Sequence, residues 1–134
     1  MFIDASALCA VLLREEDHAA LEVQIAQAED AITSPVAVWE VVRALVRERV
    51  VEVDAALNDV ERYLAAAEIR IVAIPADTHR LALEAFARFG KGRHPAALNL
   101  GDCFSYACAR GQGVPLLFKG DDFSRTDIEA VPTR

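Results

Sequence analysis

The chain has no apolar run near the roughly 18 residues that a membrane-spanning helix needs. Asp4 interrupts the first apolar stretch at once, and Arg14, Glu15 and Glu16 follow soon after. No basic segment precedes that stretch, so a secretory leader is not expected and the protein is expected in the cytoplasm. Glycine (6) and proline (5) are scarce and no tract is compositionally biased, which excludes disordered and fibrous classes. The three cysteines, Cys9, Cys103 and Cys108, are odd in number and form no C-x-x-C motif. They lie in apolar stretches, so reduced, buried thiols are expected rather than disulfides or a zinc site. Positive charge is also short, with 14 Lys and Arg against 21 Asp and Glu, a net charge of −7. That balance argues against binding nucleic acid through a broad basic surface. It leaves room for an acidic metal centre, where bound cations reverse the local sign.

What remains is a compact chain of 134 residues, 54% hydrophobic, with neither repeat nor linker. It is expected to form one domain over residues 1–134. Met1 to Asp4 reads as a short buried strand, followed by helices from about Ser6 to Leu13 and Asp17 to Gln27. Ala31 to Thr33 reads as a second strand. Ser34 and Pro35 then start a helix, Ser as N-cap and Pro at the first helical position. That helix runs to about Arg49, with Trp39, Val42, Leu45 and Val46 on its apolar side. Asp54 opens a helix to Ala67, and Arg70 to Ile74 reads as a third strand closed by Pro75. A helix from Ala76 to Phe89 ends at Gly90, and Lys91 to Pro95 is a loop. Asn99 caps a helix to about Arg110; Pro115 to Phe118 is a strand, and a last short one is expected at Ile128 to Val131. Short, uniformly apolar strands alternating with helices imply an α/β fold, a parallel sheet with helices on both faces.

In such folds ligands bind beyond the carboxyl ends of the strands. Asp4 ends the first strand, Asp121 and Asp122 follow the Leu116–Phe118 strand, Asp102 lies in the first turn of the Asn99 helix, and Glu40 lies in the second turn of the Ser34 helix. Carboxylates brought together repel until they bind a proton or a hard divalent cation. Mg²⁺ suits oxygen ligands, takes one or two carboxylates directly and keeps several waters. Each acid also has an ordinary structural use. Asp4 fits a helix cap, Asp102 a capping pair with Asn99, and Asp121-Asp122 a turn. Glu40, Arg43 and Arg47 follow one another at the spacing of a solvated, salt-bridged face. Ser6 and Asn99 are candidates to support the cluster by hydrogen bonds. Lys91, Arg93, His94 and Lys119, in loops on the same side, are candidates to contact phosphates.

Four blocks, Phe2-Ile3-Asp4-Ala5-Ser6-Ala7-Leu8, Trp39-Glu40, Arg93 to Cys103 and Leu116 to Ile128, occur in an order and spacing that resembles the PIN-domain family. More narrowly, the chain resembles the VapC toxins of type II toxin–antitoxin systems. The resemblance implies a PIN-like fold and an endoribonuclease dependent on Mg²⁺ or Mn²⁺. It also implies a homodimer, and a small VapB-like antitoxin as inhibiting partner. The family's acidic quartet falls on Asp4, Glu40, Asp102 and one of Asp121 and Asp122, the pattern favouring the acid directly before Phe123. Asp4 and Asp102 are then the direct metal ligands, with Glu40 and Asp122 placing waters or a second ion. An antitoxin arginine entering the cluster and pairing bidentately with its carboxylates is one route to inhibition.

Three other readings stand beside this one. A Mg²⁺-dependent phosphatase of the haloacid-dehalogenase type wants a second Asp two residues after the first, where this chain has Ser6. A phosphoacceptor receiver domain wants an acidic pair before its Asp, where Phe2 and Ile3 stand. A PIN-like module that only binds usually lacks members of the quartet. Nothing in the residues separates RNA from DNA as substrate, so RNA rests on the resemblance.

Overall fold

The computed structural model describes residues 1–132. Its elements run β1 (Phe2–Ile3), α1 (Ala5–Leu12), α2 (His18–Gln27), β2 (Ala31–Thr33), α3 (Pro35–Arg49), α4 (Val53–Ala66), β3 (Ile69–Ile71), α5 (Thr78–Phe89), α6 (Leu100–Gln112) and β4 (Leu116–Leu117), with a 3₁₀ turn at Phe123–Arg125. The strands form one parallel sheet in the order β3-β2-β1-β4, with Phe2 opposite both Ile32 and Leu116. The expected architecture is therefore the observed one. No described helix is long and apolar enough to cross a membrane.

Side-chain alternation along these strands divides the interior into two cores. Ile3, Ala31, Ile69 and Leu117 pack under α1 to α4. Phe2, Ile32 and Leu116 pack on the opposite face against α5 and α6. Phe2, Ile3 and Leu116 are fully buried, each stabilising the fold by about 1.5–3 kcal/mol. Two residues of strand are enough here because every neighbour is covered on both faces.

The helix starts follow the sequence cues. The Ser34 side chain accepts from the Ala37 amide at 3.1 Å with Pro35 next in line. Asn99 and Asp102 form a complete capping box on α6. Trp39 departs from expectation. The buried stripe of α3 is Ala37, Val38, Val41, Val42 and Leu45, and Trp39 lies beside it, 59% exposed. The segment Ile128 to Val131 also departs, since it makes a single bridge, Ala130 to Leu116, rather than a strand. The Leu116 amide donates to the Glu129 carbonyl and the Val131 amide to that of Leu116. This contact covers the outer edge of β4, which would otherwise present unpaired backbone groups.

The same C-terminal segment is tied down by Asp127. Its carboxylate accepts from the Tyr106 hydroxyl at 2.7 Å and pairs with Arg88 at 3.1 Å and Arg110 at 3.2 Å. The Tyr106 hydrogen bond, joined by the two guanidiniums, holds the Asp127 carboxyl down to about 2. A depressed carboxyl stabilises the fold above its unfolded value near 3.8, and that contribution disappears as pH falls toward 2. Asp127 is 40% exposed, so solvent screening limits the effect. Asp127→Asn is expected to lower stability by about 1 kcal/mol at neutral pH. Urea unfolding of the two proteins should converge between about pH 4 and pH 2; curves that stay parallel through that window would refute the assignment.

Candidate active site

At the carboxyl end of β1 the backbone passes into α1 through Asp4, which is 3% exposed. One carboxylate oxygen caps α1, accepting from the Ser6 amide at 2.9 Å. The other accepts from the hydroxyl of Ser105, on α6. Sequence reasoning did not single out Ser105. The available signal is its spacing of three from Asp102, which puts both on one face of the helix. Ser6 Oγ in turn accepts from the Lys119 amide at 3.0 Å, fastening the end of β4 to α1.

Asp4, Glu40 and Asp102 open into one cavity of about 430 Å³. Its wall also carries Ser6, Cys9, Asn99 and Gly101, with Trp39, Arg43 and Arg47 from α3. Asp102 has one oxygen committed to the Asn99 amide at 3.0 Å, and its own amide donates to Asn99 Oδ1 at 2.9 Å. Asn99 and Ser6 thus act on the backbone around the acids, holding them in place. Glu40 lies against Gly101, where a Cβ would stand 2.5 Å from the Glu40 Cδ. Only glycine admits the carboxylate there, a requirement that no sequence cue announced.

The acids repel one another. Burial pushes the Glu40 carboxyl up to about 7, with the charges of Asp4 and Asp102 adding to it and Arg43 opposing. Burial raises Asp102 to about 6 against the lowering by the Asn99 amide, and Asp4 and Asp122 raise it further. Two half-buried carboxyls held near neutrality mark a site built for a proton or a cation. The donors are all hard oxygens. Among the described residues no three His, Cys, Asp or Glu side chains enclose a point as a closed cage would. Hard carboxylate oxygens are donors that fit a hard divalent cation whose remaining shell is water.

The remaining candidates separate. Asp121 and Asp122 are both exposed and do not line the cavity. Asp122 is the one whose charge acts on Asp102, while the Asp121 carbonyl accepts from the Ser124 hydroxyl. None of Lys91, Arg93, His94 and Lys119 lines the cavity either. Arg93 stands 5.0 Å over the Phe86 ring, and His94 Nδ1 accepts from the Ala96 amide at 3.0 Å. The Lys119 ammonium is held by Glu15 and by Asp17. The cations that do border the acids are Arg43 and Arg47. Of the thiols, Cys103 and Cys108 are buried, and half-buried Cys9 is pushed up to about 11 by burial and the neighbouring acids. All three are free, and burial disfavours the thiolate of each.

A sequence model of the PIN domain matches residues 1–129. With the sheet order and the acids at its edge, this defines the class: the chain belongs to the PIN-domain family, and within it to the VapC ribonucleases. Ribonuclease VapC of Mycolicibacterium smegmatis is 41% identical over 98% of this chain and 99% of its own. Ribonuclease VapC30 of Mycobacterium tuberculosis is 42% identical over 98% of each. A VapC ribonuclease of Rhizobium meliloti is 38% identical over 95% of this chain and 98% of its own. The crystal structure of Mycobacterium tuberculosis VapC20, described as a sarcin-ricin loop cleaving toxin, superposes with a TM-score of 0.73 at 20% identity, covering 97% of both chains. That likeness confirms the fold. The phosphatase and receiver readings have no support among these relatives.

Proposed function

We propose that this VapC ribonuclease hydrolyses an RNA phosphodiester at the Asp4–Glu40–Asp102 cluster with Asp122 as the fourth acid, using Mg²⁺ or Mn²⁺. The observation that carries the reading is three carboxylates from β1, α3 and α6 in one cavity, two of them raised toward neutrality by burial and by each other. Asp4 and Asp102 are the direct metal ligands in this reading. Asp4 is fixed by two hydrogen bonds, and Asp102 has one oxygen tied to the Asn99 amide while the other is left for coordination. When bound, the cation supplies activation of water and stabilisation of the leaving oxygen. Glu40, in the same cavity wall, positions a water or a second ion, and Arg43 offsets part of its charge. Asp122 adds negative charge at the rim beside Asp102.

The protein is further proposed to act in the cytoplasm as the toxin of a type II pair, as a homodimer, silenced by a VapB-like antitoxin. An antitoxin arginine is suited to the cluster, because a guanidinium pairs with two carboxylates at once and removes their repulsion.

The test is digestion of total cellular RNA by the purified, partner-free protein with Mg²⁺, with Mn²⁺ and with EDTA. Discrete cuts that need the metal are expected, and cleavage undiminished in EDTA would end the reading. For the fourth acid, Asp122→Asn is expected to slow cleavage about 10-fold or more and Asp121→Asn less than about 2-fold, as outer positions around metal sites behave. The reverse order, read from initial rates, would transfer the role to Asp121.

A further inference from the structure

The chain has a single tryptophan, and it is out of place as a core residue. Trp39 is 59% exposed although it immediately precedes Glu40 and stands in the wall of the acidic cavity. The Arg43 guanidinium lies 5.5 Å from the centre of its ring, within the range of a cation–π contact. Arg47 lines the same cavity. Trp39, Arg43 and Arg47 are spaced by four, so they form one stripe along α3 that runs about 12 Å from the acids. No side chain of the interior needs the indole, whose neighbour Val38 supplies the buried contact.

We infer that Trp39 is the platform on which a base of the RNA beside the cleaved phosphodiester stacks, with Arg43 and Arg47 holding phosphates of the same strand. The inference rests on the ribonuclease reading and adds to it the residues that hold the strand. An aromatic face with guanidiniums in sequence beside it is the recurrent solution for an unpaired strand, because every base has a stacking face and every link a phosphate. It also resolves an electrostatic difficulty. A protein of net charge −7 whose reacting centre is acidic repels its substrate everywhere except where local cations gather. Arg43 and Arg47 are the cations that line this cavity. An indole needs no charge to bind a base, so it adds affinity without neutralising the carboxylates.

Because Trp39 is the single tryptophan, intrinsic emission reads its ring alone. Wild-type protein is titrated with a short single-stranded oligoadenylate, Ca²⁺ replacing Mg²⁺ to prevent turnover, and in parallel with inorganic polyphosphate, which has the charge without bases. Saturable quenching by the oligoadenylate and none by polyphosphate is expected. In the cleavage assay Trp39→Ala should raise KM by about 5- to 150-fold, the range for losing one stacked base, with kcat changed far less. Trp39→Phe should recover much of the loss, and thermal unfolding of both variants should match wild type. Arg43→Ala should raise KM too, with a shallower dependence on salt. The inference is overturned by absent oligoadenylate binding or by binding without quenching. Trp39→Ala with an unchanged KM, or emission that tracks protein concentration instead of RNA, also overturns it. Failure of the ribonuclease reading shows separately, as wild-type protein that cuts no RNA with Mg²⁺.

Discussion

Asp4→Asn is expected to reduce RNA cleavage by about 10²- to 10³-fold while leaving the fold intact. Both halves follow from the two jobs of one side chain. Asparagine is as good an N-cap as aspartate, its carbonyl oxygen still accepts from the Ser6 amide, and its NH2 can donate to the Ser105 hydroxyl, reversing that bond. The start of α1 and its junction with β1 therefore survive. What disappears is the negative charge in a cavity already crowded with it, since Asp4 is among the groups that raise Glu40 and Asp102. The metal-free variant should thus melt at the same temperature as wild type or slightly higher. Added Mg²⁺ should raise the melting temperature of wild type and not of the variant, because a ligand stabilises only the state that binds it. A folded variant that retains cleavage would remove Asp4 from the site.

Gly101→Ala is expected to separate stability from activity in the opposite sense to most substitutions. Gly101 lies in the first turn of α6 with ordinary helical backbone, where alanine is favoured over glycine by about 0.5–1 kcal/mol. The atoms the new methyl would meet first all belong to the Glu40 carboxylate. That carboxylate is the far end of a flexible side chain and swings aside at little cost. The variant should be at least as stable as wild type by urea titration. Its activity should fall about 10²-fold, the effect of moving a reacting group by an ångström. Wild-type activity in this variant would mean that the position of Glu40 beside α6 is immaterial. Loss of both activity and stability would mean that the methyl disturbs more than Glu40.

These two residues also show which parts of the cavity can be placed from sequence and which cannot: Asp4, Glu40 and Asp102 share one cavity, as their places in the chain suggest. Asp4, Glu40 and Asp102 are legible because each stands at a punctuation mark: a strand end, the second turn after Ser34-Pro35, the capping position of α6. Such local signals survive folding. Gly101 and Ser105 matter through what packs on them from elsewhere, and nothing local marks them. Trp39 illustrates a phase error: hydrophobicity suggested the inner face of α3, but it lies one position from Val38, about 100° around the helix, and falls on the rim. The spacing of Glu40, Arg43 and Arg47 predicts a shared face of α3, and that face borders the cavity. Lys91, Arg93, His94 and Lys119 were placed by loop membership, a coarser guide than helix register. The Ile128–Val131 strand fails because one bridge to β4 and the Asp127 ion pairs already satisfy the segment.

The hydrogen bond from Ser105 to Asp4 spans 101 residues, and β1 pairs directly with β4 near the other end of the chain. Sheets closed by such distant pairing fold slowly, since a long loop must be ordered before its contacts form. During synthesis the first strand leaves the ribosome long before α6 and β4 exist. Asp4 at its end has no partners, and the cavity it shares with Glu40 and Asp102 is not yet assembled. Asp4, Glu40 and Asp102 meet in one cavity only once α6 has been made.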